Sequence, residues 1–164
     1  MTGSVFVDAN VFVYACDPRH PQKQSLANDW IKMVWLEETG RTSVQVLNEC
    51  YTTLTQKIRP ALSSEDAWDY VIALMRWKPW RLDVDVILRA REVQLRYGLN
   101  WWDCLIVASA QLQNCAILLT EDLQEGAIYG SVKVWNPFSM AVSDSVQPAE
   151  YNATDTDQPR YFGL

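Results

Sequence analysis

One histidine, His20, occurs in the sequence, inside the breaker run Asp17-Pro18-Arg19-His20-Pro21. A single histidine excludes a ribonuclease built on a histidine pair. A Ser-His-Asp or Cys-His hydrolase would have to pass its proton through this one loop residue. Glycine is scarce, at six residues. Neither G-x-x-x-x-G-K-[ST] nor G-x-G-x-x-G is present, which excludes the loops that cradle nucleotide phosphates in backbone N–H groups. The four cysteines, Cys16, Cys50, Cys104 and Cys115, form no Cys-x-x-Cys pair, so a zinc ribbon or finger is not expected. They read as reduced, small apolar residues of a core. No apolar run approaches the roughly 18 residues of a membrane helix. No basic segment precedes the first apolar stretch, so neither a signal peptide nor membrane association is expected, and the location expected is cytoplasmic.

Basic residues are outnumbered, 14 against 20 acids, for a formal charge of −6. A nucleic-acid binder is ordinarily basic, but the charge is unevenly spread. Residues 1–140 hold 16 acids and 13 bases, or −3; residues 141–164 hold Asp144, Glu150, Asp155 and Asp157 against Arg160, another −3. The length of 164 residues and the 49% apolar content suit one globular domain with one core. We read residues 1–140 as that domain. Residues 141–164, with Pro148 and Pro159 and no periodicity, read as a polar acidic tail.

Val5-Phe6-Val7, ending at Asp8, has the apolar continuity of a buried parallel strand. A short helix over Ala9–Tyr14 is expected next, then a helix from Gln22 to Glu38 with Leu26, Trp30, Met33 and Val34 inward and Gly40 as its stop. Arg41-Thr42-Ser43 predicts a short second strand, with Ser43 capping a helix whose apolar face is Val44, Leu47, Cys50/Tyr51, Leu54 and Ile58. Pro60 stops it. Ser63-Ser64-Glu65-Asp66 opens another helix. Trp77–Leu82 reads as extended, with room for a short third strand. A helix capped at Asp83 or Asp85 carries Val86/Ile87, Ala90, Val93 and Tyr97 inward and ends at Gly98. Asn100 caps a helix from Trp101 to Gln113. Ala116–Leu119 and Val132–Trp135 are the last strands, joined through the loop Thr120-Glu121-Asp122. Strands alternating with helices give an α/β domain with a parallel sheet.

Four acids fall where such a sheet places ligands. Asp8 and Asp122 follow the carboxyl ends of strands, where the crevice of an open parallel sheet lies. Asp103 sits in the first turn and Glu49 in the second turn of helices that open toward the same side. Two carboxylates about 4 Å apart repel by roughly 4 kcal/mol at an effective dielectric near 20, so a converging set needs a cation or a shared proton. An all-oxygen set suits Mg²⁺ or Mn²⁺. Each acid also has an ordinary reading: Asp103 as partner of Asn100 in a capping box, Glu49 as a solvated helix acid, Asp122 as a turn former. Asp8 resists one, because it stands between Val5-Phe6-Val7 and Val11-Phe12-Val13, where an unpaired acid should not be buried.

Four segments carry a family resemblance. Val7-Asp8-Ala9-Asn10-Val11-Phe12-Val13-Tyr14 resembles the opening motif of PIN domains. Ser43-Val44-Gln45-Val46-Leu47-Asn48-Glu49 resembles their acidic helix. Gly98-Leu99-Asn100-Trp101-Trp102-Asp103-Cys104-Leu105-Ile106-Val107-Ala108 is similar to their third acidic motif, with Cys104 where alanine is common. Leu118-Leu119-Thr120-Glu121-Asp122-Leu123-Gln124-Glu125-Gly126 resembles their last acidic loop. Order and spacing agree over residues 4–138, and the pattern is most similar to the VapC-type toxins of bacterial toxin–antitoxin pairs. The resemblance implies a three-layer α/β/α PIN-like domain around a mainly parallel sheet. It also implies a ribonuclease dependent on Mg²⁺ or Mn²⁺. Asp8, Asp103 and Asp122 would hold metal, Glu49 would orient a second metal or the attacking water, and Asn10, Ser43 and Thr120 would fix the carboxylates. A homodimer and a separately encoded antitoxin are implied as well.

RNA, or the antitoxin, would meet residues outside the quartet: Lys57 and Arg59 after the Glu49 helix, and Arg76, Lys78 and Arg81 interleaved with Trp77 and Trp80. The same tryptophans can instead belong to the core. Two other functional readings remain open at this stage. One is a PIN-fold RNA- or protein-binding module with a structural metal. The other is a metal phosphatase using Asp8 as nucleophile, for which Asn10 stands where such enzymes need a second acid.

Overall fold

A computed structural model describes residues 3–139. The expected tail, residues 141–164, lies outside the described residues.

The apolar run at the amino terminus forms strand β1 (Ser4–Val7), and Asp8 caps helix α1 (Ala9–Cys16) directly after it. Helix α2 (Pro21–Leu36) starts with Pro21 in its first turn, where the missing N–H costs nothing. Strand β2 (Gly40–Arg41), helix α3 (Val44–Gln56), helix α4 (Ser64–Met75), helix α5 (Val84–Tyr97) and helix α6 (Trp101–Leu112) follow. Strand β3 (Cys115–Leu119), strand β4 (Ile128–Tyr129) and strand β5 (Val132–Trp135) complete the order. Ser43, Ser63, Asp83 and Asn100 each accept a backbone N–H at the start of a helix, as short polar side chains at these positions do.

The sheet order is β2-β1-β3-β5-β4. β2, β1, β3 and β5 run parallel, and β4 pairs antiparallel with β5. β1 and β3 lie centrally, with Val5, Phe6, Val7, Leu118 and Leu119 buried, and their carboxyl ends deliver Asp8 and Thr120 side by side. Among the described residues no helix is long and apolar enough to cross a membrane, and all four cysteines are free.

Several local expectations are corrected. α2 buries Ala27, Trp30, Ile31 and Val34, a stripe rotated from the one expected, and Leu26 is exposed. Ile87 also faces outward, leaving Val86, Ala90 and Val93 as the buried stripe of α5. Gly40 does not stop α2. It opens β2, where a Cβ would come within 2.5 Å of the Trp77 ring. The expected third strand near Trp80 reduces to one bridge, Ser43 with Trp80, because Pro79 has no N–H to extend a ladder. β4 went unread. It is two residues long and turns at Gly130, whose φ is +66°.

Candidate active site

Asp8 is 6% exposed. Its Oδ1 accepts the Ala9 N–H at 2.7 Å, and its Oδ2 accepts the Thr120 hydroxyl at 2.8 Å and the Asn10 amide at 3.3 Å. The same Asn10 Nδ2 reaches Thr120 Oγ1 at 2.9 Å and Asp122 Oδ2 at 3.0 Å. Two N–H bonds thus serve three acceptors. Thr120 Oγ1 also accepts the Asp122 N–H at 3.1 Å. Asn10 and Thr120 therefore join the ends of β1 and β3 into one polar network carrying two carboxylates.

The other two acids come from helices, Asp103 from the first turn of α6 and Glu49 from the second turn of α3. Asp103 donates its N–H to Asn100 Oδ1 at 3.1 Å, and Asn100 Nδ2 donates back to its carboxylate. This is the reciprocal capping box anticipated as its ordinary reading. Glu49 Oε1 accepts from Gln45 Nε2 at 2.9 Å, and the same amide also donates to the Trp102 carbonyl at 3.3 Å. Gln45 is buried and ties α3 to the start of α6. Sequence reasoning passed over it, although its spacing four residues before Glu49 places the two on one helix face.

The carboxylates feel each other. Burial pushes the Asp8 carboxyl up to about 7; the Thr120 and Ala9 hydrogen bonds oppose this, and the charges of Glu49 and Asp122 add to it. Asp103 is also raised, first by burial, against the Asn100 hydrogen bond and with help from Asp122 and Glu49. Among the described residues, no three His, Cys, Asp or Glu side chains are gathered closely enough to hold an ion as they stand. The quartet shares one electrostatic neighbourhood without forming a ready-made coordination sphere. The chemistry of the set nevertheless fits a hard divalent cation: every donor is oxygen, and the buried Asn10 Oδ1 has no hydrogen-bond partner.

Asp8 is poorly suited to attack phosphorus. Both of its oxygens are hydrogen-bonded and its side chain is buried. The neighbouring Asn10 offers an amide where a phosphatase would need a second acid.

A staple holds the Asp122 loop. Lys23 Nζ, from α2, donates to Glu121 and to Tyr14 Oη at 3.0 Å, and lies 4.2 Å from the Tyr14 ring centroid. Phe138 packs edge-on against Tyr14 at 5.0 Å.

The Ser43 hydroxyl caps α3 by accepting the Val46 N–H at 3.4 Å, and among the described residues no hydrogen bond joins it to a carboxylate. It acts on Glu49 only by starting the helix. Of the two readings left open for the interleaved tryptophans, Trp77 takes the core one. The stretch after α4 is a turn and not a strand, so Trp77 is 6% exposed and packs on Phe12 and Trp35. Arg76, Lys78 and Trp80 line a groove of about 840 Å³ with Trp35, Arg41 and Asn114. This groove lies near the amino ends of β2 and β3, away from Asp8. Arg76 lies over the Trp35 ring at 5.3 Å. Arg59 donates to the Gln56 and Ile58 carbonyls, each at 2.8 Å, and Lys57 is the C-terminal cap of α3. Arg81 is exposed. None of these cations enters the hydrogen-bond network of the quartet.

A search among curated protein sequences found no match. Among solved structures, the chain is similar to VapC20 of Mycobacterium tuberculosis, described as a sarcin-ricin loop cleaving toxin. Identity is 19% and the TM-score 0.49, over 73% of this chain and 90% of that one. The family model for the PIN domain matches residues 5–125, a span that contains Asp8, Glu49, Asp103 and Asp122. The chain belongs to the PIN-domain family.

Proposed function

We propose that this chain is a divalent-metal-dependent endoribonuclease and the toxin of a toxin–antitoxin pair. The observation that carries the reading is the buried Asp8 carboxylate. It is raised toward neutrality, coupled to Glu49 and Asp122, and hydrogen-bonded by neutral groups alone. A fold keeps such a group only where something offsets its charge. Mg²⁺ or Mn²⁺, held by Asp8, Asp103 and Asp122, would supply an acidified water and a clamp for the scissile phosphate. The chain's own part is to orient. Thr120 and Asn10 fix the faces that Asp8 and Asp122 present, Asn100 holds Asp103, and Gln45 aims Glu49, which would position the attacking water.

The toxin assignment rests on the four ordered motifs. It is supported by the apolar surface left uncovered: Trp68, Ile72 and Met75 on α4, and Val84, Leu88 and Leu95 on α5. Such stripes suit an antitoxin segment or a second copy of the chain. RNA is the substrate and the site of action is the cytoplasm.

The test is incubation of the purified chain with structured RNA and Mn²⁺, with and without EDTA. Cutting that requires Mn²⁺ and is abolished in a folded Asp8→Asn variant is expected. Uncut RNA at protein concentrations where PIN nucleases act, or equal cutting by Asp8→Asn, would refute the assignment.

A further inference from the structure

The groove of about 840 Å³ at the amino ends of β2 and β3 is basic on an acidic chain. Its lining carries Arg41, Arg76 and Lys78 against one acid, Glu38, whereas residues 1–140 together sum to −3. Arg41 donates to the Glu38 and Gly40 carbonyls, and Arg76 lies over Trp35. Among the described residues no carboxylate pairs with any of the three cations. Trp80, 37% exposed, lines the groove as well. The backbone sets the place apart too. Among the described residues, Glu38, Lys78 and Asn114 are the non-glycine residues with left-handed φ, at +55°, +52° and +53°, and all three line this groove. Each closes a turn just after a helix, where glycine is the usual residue. Asparagine tolerates the conformation, but glutamate and lysine carry a cost that glycine would avoid. Lys78 thus keeps a cation where the backbone alone favours no side chain.

We propose that this groove binds an acidic segment of the same chain, residues 150–157, with Glu150, Asp155 and Asp157 meeting Arg41, Arg76 and Lys78. That segment holds three acids, no base, and Tyr151 to lie against an indole. Helix α2 measures the reach required. Phe138 lies at its start: the ring packs edge-on against Tyr14 and sits 5.0 Å from Lys23 Nζ, in the first turn. The groove lies at its end, where Val34 and Trp35 line it. Lys23 and Trp35 stand 12 residues apart on the helix, about 18 Å at 1.5 Å per residue. Residues 139–151 span about 43 Å when extended, more than twice that gap. A tether that covers the distance with slack holds the segment at a local concentration on the order of millimolar. Ion pairs that are each weak at a surface then act together. A phosphate chain would meet the same cations, but nothing tethers it there and the groove lies away from Asp8.

The experiment treats the full chain with a water-soluble carbodiimide, which activates a carboxylate so that a lysine amine in contact with it forms an amide and releases the urea. Mass spectrometry of the monomer band should find Lys78 joined to Glu150, Asp155 or Asp157. That product should exceed by at least about 5-fold the joins from these acids to Lys23, Lys32, Lys57 or Lys133. Arg76→Glu, which keeps Lys78, should lower it at least about 2-fold. Joins spread evenly over the lysines overturn the proposal. Joins confined to a dimer band overturn it as well, and give the groove to a second copy. A second measurement leaves the described domain unaltered. In the full chain carrying Glu150→Lys, Asp155→Lys and Asp157→Lys together, the Trp80 indole N–H signal, assigned with Trp80→Phe, should move in a ¹⁵N-correlated spectrum while that of Trp102 stays. A Trp80 signal identical in the two proteins overturns the proposal. If that identical signal then moves when a short single-stranded RNA is added, the groove belongs to RNA.

Discussion

Replacing Asp8 by asparagine should stabilise the metal-free protein above neutral pH while destroying its site. Burial raises the Asp8 carboxyl from 3.8 to about 7, and each pKa unit corresponds to about 1.4 kcal/mol. The ionised form therefore destabilises the folded chain by about 4 kcal/mol. The sign follows from counting protons. Between about pH 4 and 7 the folded chain keeps a proton that the unfolded chain has released, so this stability is fully present below about 4 and is lost as pH rises through 7. An amide does not titrate, but it has one acceptor oxygen where Asp8 uses both, for Ala9 at Oδ1 and for Thr120 and Asn10 at Oδ2. The new amide would donate toward Thr120 Oγ1, which already accepts from Asn10 and the Asp122 N–H, and toward the Asn10 amide, which cannot accept, a loss of about 1–2 kcal/mol. The balance at pH 8 favours Asp8→Asn by about 2–3 kcal/mol, or about 5–10 °C in Tm for a chain of this size. At pH 5 the gain vanishes and the variant is level or slightly weaker. Urea or thermal unfolding of both proteins in EDTA, from pH 5 to 8, makes the comparison. Parallel pH profiles, or a variant equally weakened at both ends, would refute the reasoning.

Other outcomes are expected. Thr120→Val keeps the branched shape but removes the hydroxyl that serves Asp8, Asn10 and the Asp122 N–H; it should cost about 1–3 kcal/mol in urea unfolding and lower cleavage at least about 10-fold. Gly40→Ala should destabilise by about 1–3 kcal/mol without altering the site, because its Cβ meets the Trp77 ring; a variant melting with the wild type would show that the ring moves freely. Adding millimolar Mn²⁺ should raise the Tm of the wild type, by about 1.4 kcal/mol of stability near 10 times Kd, and leave Asp8→Asn unmoved, as differential scanning fluorimetry would register.

The network around Asp8 was the part of the site most legible in the sequence. An acid between two apolar runs at a strand end has few places to go; Asn10 stands two residues on in the same motif, whereas Thr120, 112 residues away, was reached only through the family resemblance. The capping box of Asn100 and Asp103 was legible for the same local reason. What escaped depends on contacts distant in sequence. The Lys23–Glu121 pair joins residues 98 apart, and neither residue's neighbours announce it. Gln45 stood in plain view as one more residue of a helix motif; its bond to the Trp102 carbonyl exists only once α3 and α6 are packed. Trp77 was open to either reading from its alternation with Arg76 and Lys78; it is core because α4 ends there in a turn that sends the ring inward. Strand β4 is too short to show a period, and its Gly130-Ser131 turn was its only mark.

The most direct test is a crystal of the wild type soaked in Mn²⁺, with anomalous scattering to locate the ion. The account predicts a peak bounded by oxygens of Asp8, Asp103 and Asp122, with Glu49 close by, and no peak there in Asp8→Asn. A manganese ion bound elsewhere, or the three aspartates remaining apart in an ordered, manganese-saturated crystal, would contradict it.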